Sequence, residues 1–380
     1  MTRQAPFLIA WLALAAGMLG LAAAAHADTV TRTLQQSINV PAGDSIVVEN
    51  LVGHMTVTQG NGPLQVTATV VAGGDQAQAL AQSIKLDVST HDNQVLVHVD
   101  YPVDRYDTFL YNPSNLQANN SNQACILANL ICFRGNSNSG VRYQGSRVRV
   151  QTNERDSSGA PLYVNLAVQI PKHVNAGFSN AVGLLEADGL VNELSLTSQG
   201  GDIRVRNLQG QLEVQSRGGD VYASGITSQD VTVHTDGGDL TGSKLNGNLS
   251  LATGGGDVGL DTLGGHLAIR SGGGDIRLSG KLAGLLTLVA HSGGGDLTVA
   301  GNLAALTSLD TESGGGDIVL KVNNLDLRLE AASGGGDIDV NLPDLRDVSS
   351  SSDHFSADIG KAAGTATLAS GGGDITVTQP

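Results

Sequence analysis

Apolar and polar residues alternate in short runs along most of this chain, which is the periodicity of β-strands. In residues 28–100 this alternation, broken by Gly, Asn and Asp pairs, predicts the five strands Ser45–Glu49, His54–Thr58, Leu64–Val71, Ile84–Val88 and Val95–Val99. Similar runs at Val141–Val150 and Leu162–Ile170 continue the set. We expect this N-terminal region to cover the open sheet edge of a larger β structure that follows it.

From residue 198 onward a short phrase, most often Ser-Gly-Gly-Gly-Asp-Ile, returns mainly every 18 to 21 residues. The residue after each aspartate is aliphatic, and apolar positions alternate with polar ones on both sides of the glycines. A fixed short period is typical of a solenoid, in which each repeat buries its apolar face by stacking on its neighbours. The repeated aspartates are Asp202, Asp220, Asp239, Asp257, Asp275, Asp296, Asp317, Asp337 and Asp374.

These repeats predict an all-β fold, a single-stranded parallel β-helix of about ten coils. A helical solenoid is excluded because it would not tolerate glycine clusters at every repeat. The coil length varies and the apolar steps are irregular, which favours a right-handed over a left-handed β-helix. The last spacing, from Asp337 to Asp374, is 37 residues, or two periods, so we expect a degenerate copy around Val348–Ile359.

Stacking would place the repeated aspartates in a column with a spacing of about 4.8 Å. The column has two interpretations: a turn device, in which each carboxylate accepts backbone hydrogen bonds, or a calcium site. The turn is favoured, because each period holds one such aspartate and no second half-site. The hydroxyl residues four positions earlier are expected to donate to the carboxylates; they are Ser198, Ser216, Thr235, Thr253, Ser271, Ser292, Ser313, Ser333 and Ser370.

The N-terminus carries the features of an export signal. An apolar run follows Arg3, and the small residues before Asp28 predict cleavage between Ala27 and Asp28, although a membrane anchor of this length is the alternative. No later stretch is long and apolar enough to span a bilayer. Export would place Cys125 and Cys132 in an oxidising compartment, where a disulfide is favoured over a metal site because no His flanks them.

The sequence divides into three parts: a signal peptide (1–27), an N-terminal β region (28–170) and a GGGD-repeat β-helix (171–380). Within the β region, residues 104–146 form an Asn- and Ser-rich insertion that holds the cysteine pair. Long insertions are often functional, and Tyr with Asn is typical recognition chemistry, while packing of the aromatic rings on the β-helix is the open alternative. The candidate recognition residues are Tyr101, Tyr106, Phe109 and Tyr111.

The net charge and the motifs that are missing exclude several classes of function. The net charge of −15 argues against nucleic-acid binding, which needs a basic face. No nucleophile, phosphate-binding or dinucleotide motif is present, and the histidines show no metal-ligand spacing. We therefore expect no enzymatic activity and no cofactor, with calcium at the aspartate column as the one exception to test.

The recurring phrase and the segment IVVENLVGHMTVTQG resemble the putative-adhesin family of bacterial exported proteins, which is related to auto-transporter adhesin heads. The resemblance covers residues 30–100 and 160–380 and leaves out the insertion. It implies a β-helix of undefined function in the cell envelope or on the surface, without catalytic residues. We expect an exported scaffold or adhesin-like protein, periplasmic or secreted, whose partner is an envelope protein or glycan. The alternatives are a carbohydrate-active enzyme and an envelope stress or assembly factor.

Overall fold

The computed structural model describes residues 29–111, 139–152 and 159–379, and almost all of their regular structure is β. One helix, α1 (Ala77–Ser83), is present in these ranges. The N-terminal strands are β1 (Val30–Ile38), β2 (Ser45–Val52), β3 (Met55–Gln59), β4 (Leu64–Ala72), β5 (Lys85–His91), β6 (Gln94–Asp100), β7 (Thr108–Leu110), β8 (Ser139–Tyr143), β9 (Ser146–Gln151) and β10 (Leu162–Ile170).

The repeat region continues the strand series up to the C-terminus. Its strands are β11 (Asn175–Val182), β12 (Leu185–Leu190), β13 (Glu193–Ser198), β14 (Ile203–Gln209), β15 (Leu212–Ser216), β16 (Val221–Thr235), β17 (Leu240–Thr253), β18 (Val258–Ser271), β19 (Ile276–Ser279), β20 (Gly284–Ser292), β21 (Leu297–Asn302), β22 (Ser308–Ser313), β23 (Ile318–Asn323), β24 (Leu327–Ser333), β25 (Ile338–Asn341), β26 (Arg346–Ser350), β27 (His354–Asp358), β28 (Gly364–Ser370) and β29 (Ile375–Thr378).

Twenty-six of these strands form one continuous sheet, and β7, β8 and β9 form a second, three-stranded sheet. In the repeat region β-structure flanks each glycine turn on both sides, either as two strands per coil or, in β16, β17 and β18, as one long strand that runs from one turn to the next. Up to β23, strands one period apart pair in parallel; for example, β13 pairs with β15 and β14 with β16. The predicted all-β solenoid is therefore confirmed.

The core of the solenoid consists of aliphatic columns that run along its length. Strand β13 alternates between exposed or half-buried and buried residues, as its sequence predicts. Leu196, Val214, Val233, Leu251 and Ile269 occupy one inward column and are each at most 2% exposed. Burying one such side chain contributes about 1.5–3 kcal/mol, so stacking supplies the stability that a lone coil lacks.

The N-terminal region covers the first coil, as expected. Strands β2 and β3 already form a coil of the stack, because β2 pairs with β11 and β3 with β12, both in parallel. Beyond them, β6 and β10 add one more layer, which β5 and β4 continue with antiparallel pairing. Strand β1 and helix α1 were not predicted from the sequence; Arg32 on β1 joins them by donating to the carbonyls of Ala81 (3.0 Å) and Ile84 (3.2 Å).

The C-terminal end does not follow chain order. Strand β28 lies between β22 and β24, and β29 lies between β23 and β25, all in parallel. The prediction of a degenerate coil around Val348–Ile359 is therefore wrong: β26 and β27 form an antiparallel hairpin, and β27 pairs with the outer edge of β24. This order pairs both edges of the last repeat and uses the hairpin to cover β24, so fewer sheet edges stay open.

Candidate functional site

The glycine turns bring the backbones of successive coils into close contact. A Cβ atom on the third glycine of one turn, Gly256, would lie 2.2 Å from the carbonyl oxygen of Gly238 in the preceding coil. The same position one coil later, Gly274, would meet Gly256 at the same distance. In contrast, a Cβ on the middle glycine, Gly255, would meet nothing within 4 Å. Packing therefore requires the third glycine and leaves the middle one free to vary.

The repeated aspartates form a ladder across the coils. Oδ1 of every aspartate but the last, Asp337, accepts a hydrogen bond from the backbone N–H of the aspartate in the neighbouring coil, as Asp257 does from Asp275 at 2.8 Å. Among the described residues, no group of three or more His, Cys, Asp or Glu side chains is arranged to hold a metal ion. One oxygen of each accepting carboxylate is thus used in holding the next turn. The ladder runs in the order Asp202, Asp220, Asp239, Asp257, Asp275, Asp296, Asp317, Asp374, Asp337.

The hydroxyl column forms a second ladder on the buried side of the turn. Ser271 Oγ accepts from the N–H of Gly274 (2.9 Å) and donates to the carbonyl of Gly256 in the preceding coil (3.1 Å). The expectation that these hydroxyls donate to the aspartates is wrong, because the hydroxyls are buried among backbone groups and the glycine carbonyls are their acceptors. Both bonds recur at Thr235, Thr253, Ser271, Ser292, Ser313, Ser333 and Ser370.

Toward the N-terminal end the buried polar column changes from hydroxyls to amides. Asn180 aligns with Ser198, and Asn50 aligns with Asn180. Asn50 Nδ2 donates to Asn180 Oδ1 (3.0 Å) and to the carbonyl of Val164 on β10 (2.9 Å). Asn180 Nδ2 donates to the carbonyl of Gly53 (2.8 Å). These longer side chains reach backbone groups of the covering strands as well as those of the next coil.

An aromatic cluster completes this end of the column. Tyr101 Oη lies 3.1 Å from Asn50 Oδ1 and 2.9 Å from the carbonyl oxygen of Val52. Its ring meets Phe109 and Tyr143 edge to face, with centroids 5.5 and 5.8 Å apart. Burial raises the pKa of Tyr101 well above its usual value. The cluster is a packed core that joins the small sheet to the solenoid.

This packing leaves little of the four candidate recognition residues exposed. Tyr101, Phe109 and Tyr111 are at most 5% exposed, and Tyr106 is half-buried with its hydroxyl bonded to Gln76 Oε1 (3.1 Å). Three of the four rings are therefore core residues and offer no exposed aromatic surface. Recognition by the rest of the 104–146 insertion stays a prediction. Cys125, Cys132, Ala27 and Asp28 lie outside the described residues, so the disulfide and the cleavage site also stay predictions.

A cavity of about 660 Å³ lies beside this cluster, between α1, the end of β4 and the start of β10. Tyr111 and Tyr163 line it and meet edge to face with centroids 5.2 Å apart. Tyr163 Oη and Gln151 Oε1, also on lining residues, are buried and have no hydrogen-bond partner. Burial raises the pKa of Tyr163 to about 12, so its hydroxyl stays protonated at neutral pH and can donate. The residues that line the cavity thus include two packed aromatic rings, one buried donor and one buried acceptor without partners.

A charged cluster lies on the outer face of the first coils. The Glu186 carboxylate contacts the guanidinium of Arg206, and Arg204 Nη1 and His54 Nε2 lie 3.8 and 3.6 Å from it. Arg206 also lies 3.4 Å from Asp188. The interaction with His54, followed by the charges of Arg206 and Arg204, lowers the pKa of Glu186. Although the protein as a whole is acidic, basic side chains are grouped here, and each is paired with a carboxylate.

One ladder carboxyl next to this cluster is shifted in the opposite direction. Burial raises the pKa of Asp202. Two residues further along the strand, the Arg204 guanidinium lies 5.7 Å from the centroid of the Tyr222 ring. Tyr222 Oη in turn donates to Asp220 Oδ2 at 3.2 Å. Two carboxyls with opposite shifts, Glu186 and Asp202, therefore flank Arg204.

Sequence reasoning missed most of these residues, although part of the signal was present. The phrases Asn50-Leu-Val-Gly53 and Asn180-Ala-Val-Gly183 share the pattern Asn-x-Val-Gly, which marks two earlier members of the buried polar column. No comparable pattern precedes Gln151, Tyr163 or Glu186. Gln151 and Tyr163 line one cavity because β9 pairs with β7, and β7 bridges to Ala160 just before β10, whereas Glu186 lies in the charged cluster on the outer face; neither arrangement has a period in the sequence.

Comparisons with known proteins bear on the architecture. A family model described as Toastrack DUF4097 matches residues 136–378. No curated protein matches the chain in sequence. One matching solved structure, from Clostridium sporogenes, carries the name "putative cell adhesion protein"; it is 9% identical, with 92% of this chain and 100% of that chain covered, and its TM-score is 0.22. That score is too low for the match to support an argument. Within the described residues, no helix is long and apolar enough to cross a membrane.

Proposed function

The chain belongs to the Toastrack DUF4097 family, and from this premise we propose that it is a non-enzymatic β-solenoid scaffold that binds its partner in an adhesin-like manner. In this proposal the GGGD coils form a stiff rod, right-handed and about ten coils long. The N-terminal end of the rod carries the binding site, because the cavity beside Tyr163 is there.

One observation carries the proposal: the buried Tyr163 Oη and Gln151 Oε1 both lack partners and lie on residues that line one cavity. Buried polar groups in folded proteins are almost always hydrogen-bonded, so two unpartnered groups around one space favour a ligand there. The protonated Tyr163 hydroxyl needs an acceptor and Gln151 Oε1 needs a donor. A hydroxyl group can both donate and accept a hydrogen bond, which matches these two groups, and a sugar carries several hydroxyls. We therefore propose a neutral glycan as the ligand.

The test is a glycan array probed with the full chain, followed by titration with the strongest glycan. Tyr163→Phe should weaken binding by about tenfold, since losing one buried hydrogen bond costs about 1.4 kcal/mol. The matched control is Tyr222→Phe, whose hydroxyl contacts Asp220 on the outer face; it should leave binding unchanged. Absence of glycan binding, or equal loss in both variants, would contradict the proposed site. Capture of an envelope protein instead would favour the stress or assembly factor.

We also propose that the chain is exported and acts in the periplasm, in the medium or at the cell surface. The support is the sequence around Ala27 and Asp28. Mass spectrometry of the protein recovered from a cell envelope fraction should show an N-terminus at Asp28. An N-terminus at Met1 would contradict cleavage.

A carbohydrate-active enzyme is the second candidate, and the opposite pKa shifts of Glu186 and Asp202 favour it, because such pairs divide the roles of base and acid. Neither carboxyl lines the cavity beside Tyr163, and we propose that both are structural. Sugar release from a panel of polysaccharides should not exceed that of a buffer blank. Release that Glu186→Gln abolishes would overturn the non-enzymatic proposal.

Finally, we propose that the aspartate ladder needs no calcium, because Oδ1 of the laddered carboxylates already accepts a backbone N–H. Adding chelator or calcium should leave the melting temperature unchanged. A rise of several degrees with calcium would show that the ion binds the native state.

A further inference from the structure

The last repeat fills a slot between two coils that both precede it in the sequence. Strands β28 and β29 fill the space between the coil of β22 and β23 and the coil of β24 and β25. The coil of β24 and β25 precedes them in the sequence and carries the same glycine turn. Both coils can therefore compete for the edge of β22 and β23, and in the structure β28 and β29 occupy it.

The inserted coil makes the same contacts on both of its sides. Asp374 N–H donates to Asp317 Oδ1 (2.8 Å), and Asp337 N–H donates to Asp374 Oδ1 (2.8 Å). Ser370 Oγ donates to the carbonyl of Gly316 (3.1 Å) in one neighbouring coil. Leu368, Ala366, Ile375 and Val377 of the inserted coil are at most 1% exposed. The slot is thus a template for one specific sequence pattern, which this chain itself supplies.

If the inserted coil came from another chain, only the linking loop, residues 359–363, would have to change its conformation. Arg346 donates to the carbonyl of Gly360, and Asp326 Oδ1 accepts from the N–H groups of Lys361 and Ala363. Ala362 has φ +56°, a conformation that is unfavourable for a residue with a side chain. Extending this loop would release that strain, and a short strained hinge favours exchange of the segment beyond it.

We propose that the slot also accepts the C-terminal coil of a second copy, so that two chains exchange residues 364–378 and join at this end of the rod. Every strand pair, ladder bond and core contact of the coil is kept in the exchanged dimer. Two copies exchanging the same segment form a closed, symmetric pair. The proposal goes beyond glycan binding at the other end and does not depend on it.

The test uses two populations of the full chain. Asp310 and Thr367 face each other in adjacent parallel strands. One population carries Asp310→Cys and the other Thr367→Cys, and they are mixed at high concentration a few degrees below the melting transition before oxidation. Neighbouring parallel strands bring such cysteines within disulfide range. We expect a disulfide-linked dimer with a yield that rises with concentration, with the pair identified by peptide mapping, which also separates it from Cys125 and Cys132.

Two alanine variants in the Thr367→Cys chain sharpen the test. A Cβ on Gly373 would lie 2.4 Å from the carbonyl oxygen of Gly316, whereas a Cβ on Gly372 would lie 3.8 Å from that of Gly315. Gly373→Ala should lower the dimer yield by about tenfold or more, and Gly372→Ala should leave it nearly unchanged. Melting curves of both variants show whether the rest of the chain stays folded.

A single chain with both Asp310→Cys and Thr367→Cys is the positive control, and it should form an internal disulfide as a monomer. If that disulfide forms and the mixed populations give no dimer at any concentration, the exchange proposal is wrong. If the internal disulfide does not form, the inserted position of the last coil is wrong, and the proposal fails with it.

Discussion

The repeat coils and the N-terminal end of the rod hold one layer on the next with different side chains. In the repeats, a buried hydroxyl such as Ser271 and an outer carboxylate such as Asp275 each span one strand spacing. At the N-terminal end, Asn50 and Asn180 replace the hydroxyls; Asn50 reaches the covering strand β10, and Asn180 bonds Gly53 of the neighbouring coil. Short side chains suffice where identical coils stack in register. A longer amide is found where the coils meet a covering strand that lies outside the repeat pattern.

Among these predictions, the largest loss of folding free energy is expected for substitution of the third glycine of a turn in the regular coils. Gly256→Ala should destabilise the protein by more than about 3 kcal/mol, because its Cβ would overlap a backbone carbonyl that cannot move without shifting a coil. Gly255→Ala, the same change one residue earlier, should stay within about 0.5 kcal/mol. Denaturant unfolding of both variants checks this. Equal losses would mean that the coils are not in such close contact.

The next effect concerns the N-terminal end, where aromatic packing replaces the glycine turns. Phe109→Ala should cost about 3–4 kcal/mol, because the ring is fully buried against Tyr101. Tyr106→Ala, at a half-buried position, should cost about 1 kcal/mol. Thermal unfolding distinguishes the two. A small loss of stability in Phe109→Ala would mean that these rings are not core residues and would again make them candidates for recognition.

A smaller effect compares the two kinds of polar column directly. Ser271→Ala should cost about 2 kcal/mol, since it leaves two backbone groups unsatisfied, while the exposed Ser250→Ala should be neutral. Asn180→Ala should cost more than Ser271→Ala because its amide holds both Gly53 and Asn50. Chemical denaturation gives the ranking. If Asn180→Ala proved the milder change, the amides would not be what joins the covering strands to the coils.

The sequence predicted the regular part of the molecule far better than its ends. The sequence period predicts the strand pattern, the inward columns and the aspartate column, because every regular coil has the same local structure. It could not show that Asp374 lies between Asp317 and Asp337, since equivalent repeats fit next to one another in either order. It also could not place Tyr163 and Gln151 around one cavity, because the non-repeating contacts of β7 with β9 and with Ala160 leave no periodic signal.

The smallest effect is the pH response of the charged cluster on the first coils. The folded-state pKa of Glu186 is lowered below its ordinary value of 4.5. Its stabilisation is therefore complete above about pH 4.5 and is lost as the pH falls through the folded-state pKa. Glu186→Gln should lower stability by about 1 kcal/mol at pH 7 and by less near pH 3. Melting curves at both pH values check this, with the exposed Glu193→Gln as the matched control. A constant difference at both pH values would contradict the assigned pairing.

The most direct test of the interlocked coils is native-state amide exchange in Asp317→Ala. Asp317 Oδ1 holds the backbone N–H of Asp374, and Asp374 Oδ1 holds that of Asp337. The variant should therefore accelerate exchange at the Asp374 amide and leave the Asp337 amide protected. Faster exchange at Asp337, with Asp374 unaffected, would mean that the coils stack in chain order and would contradict the inserted last repeat.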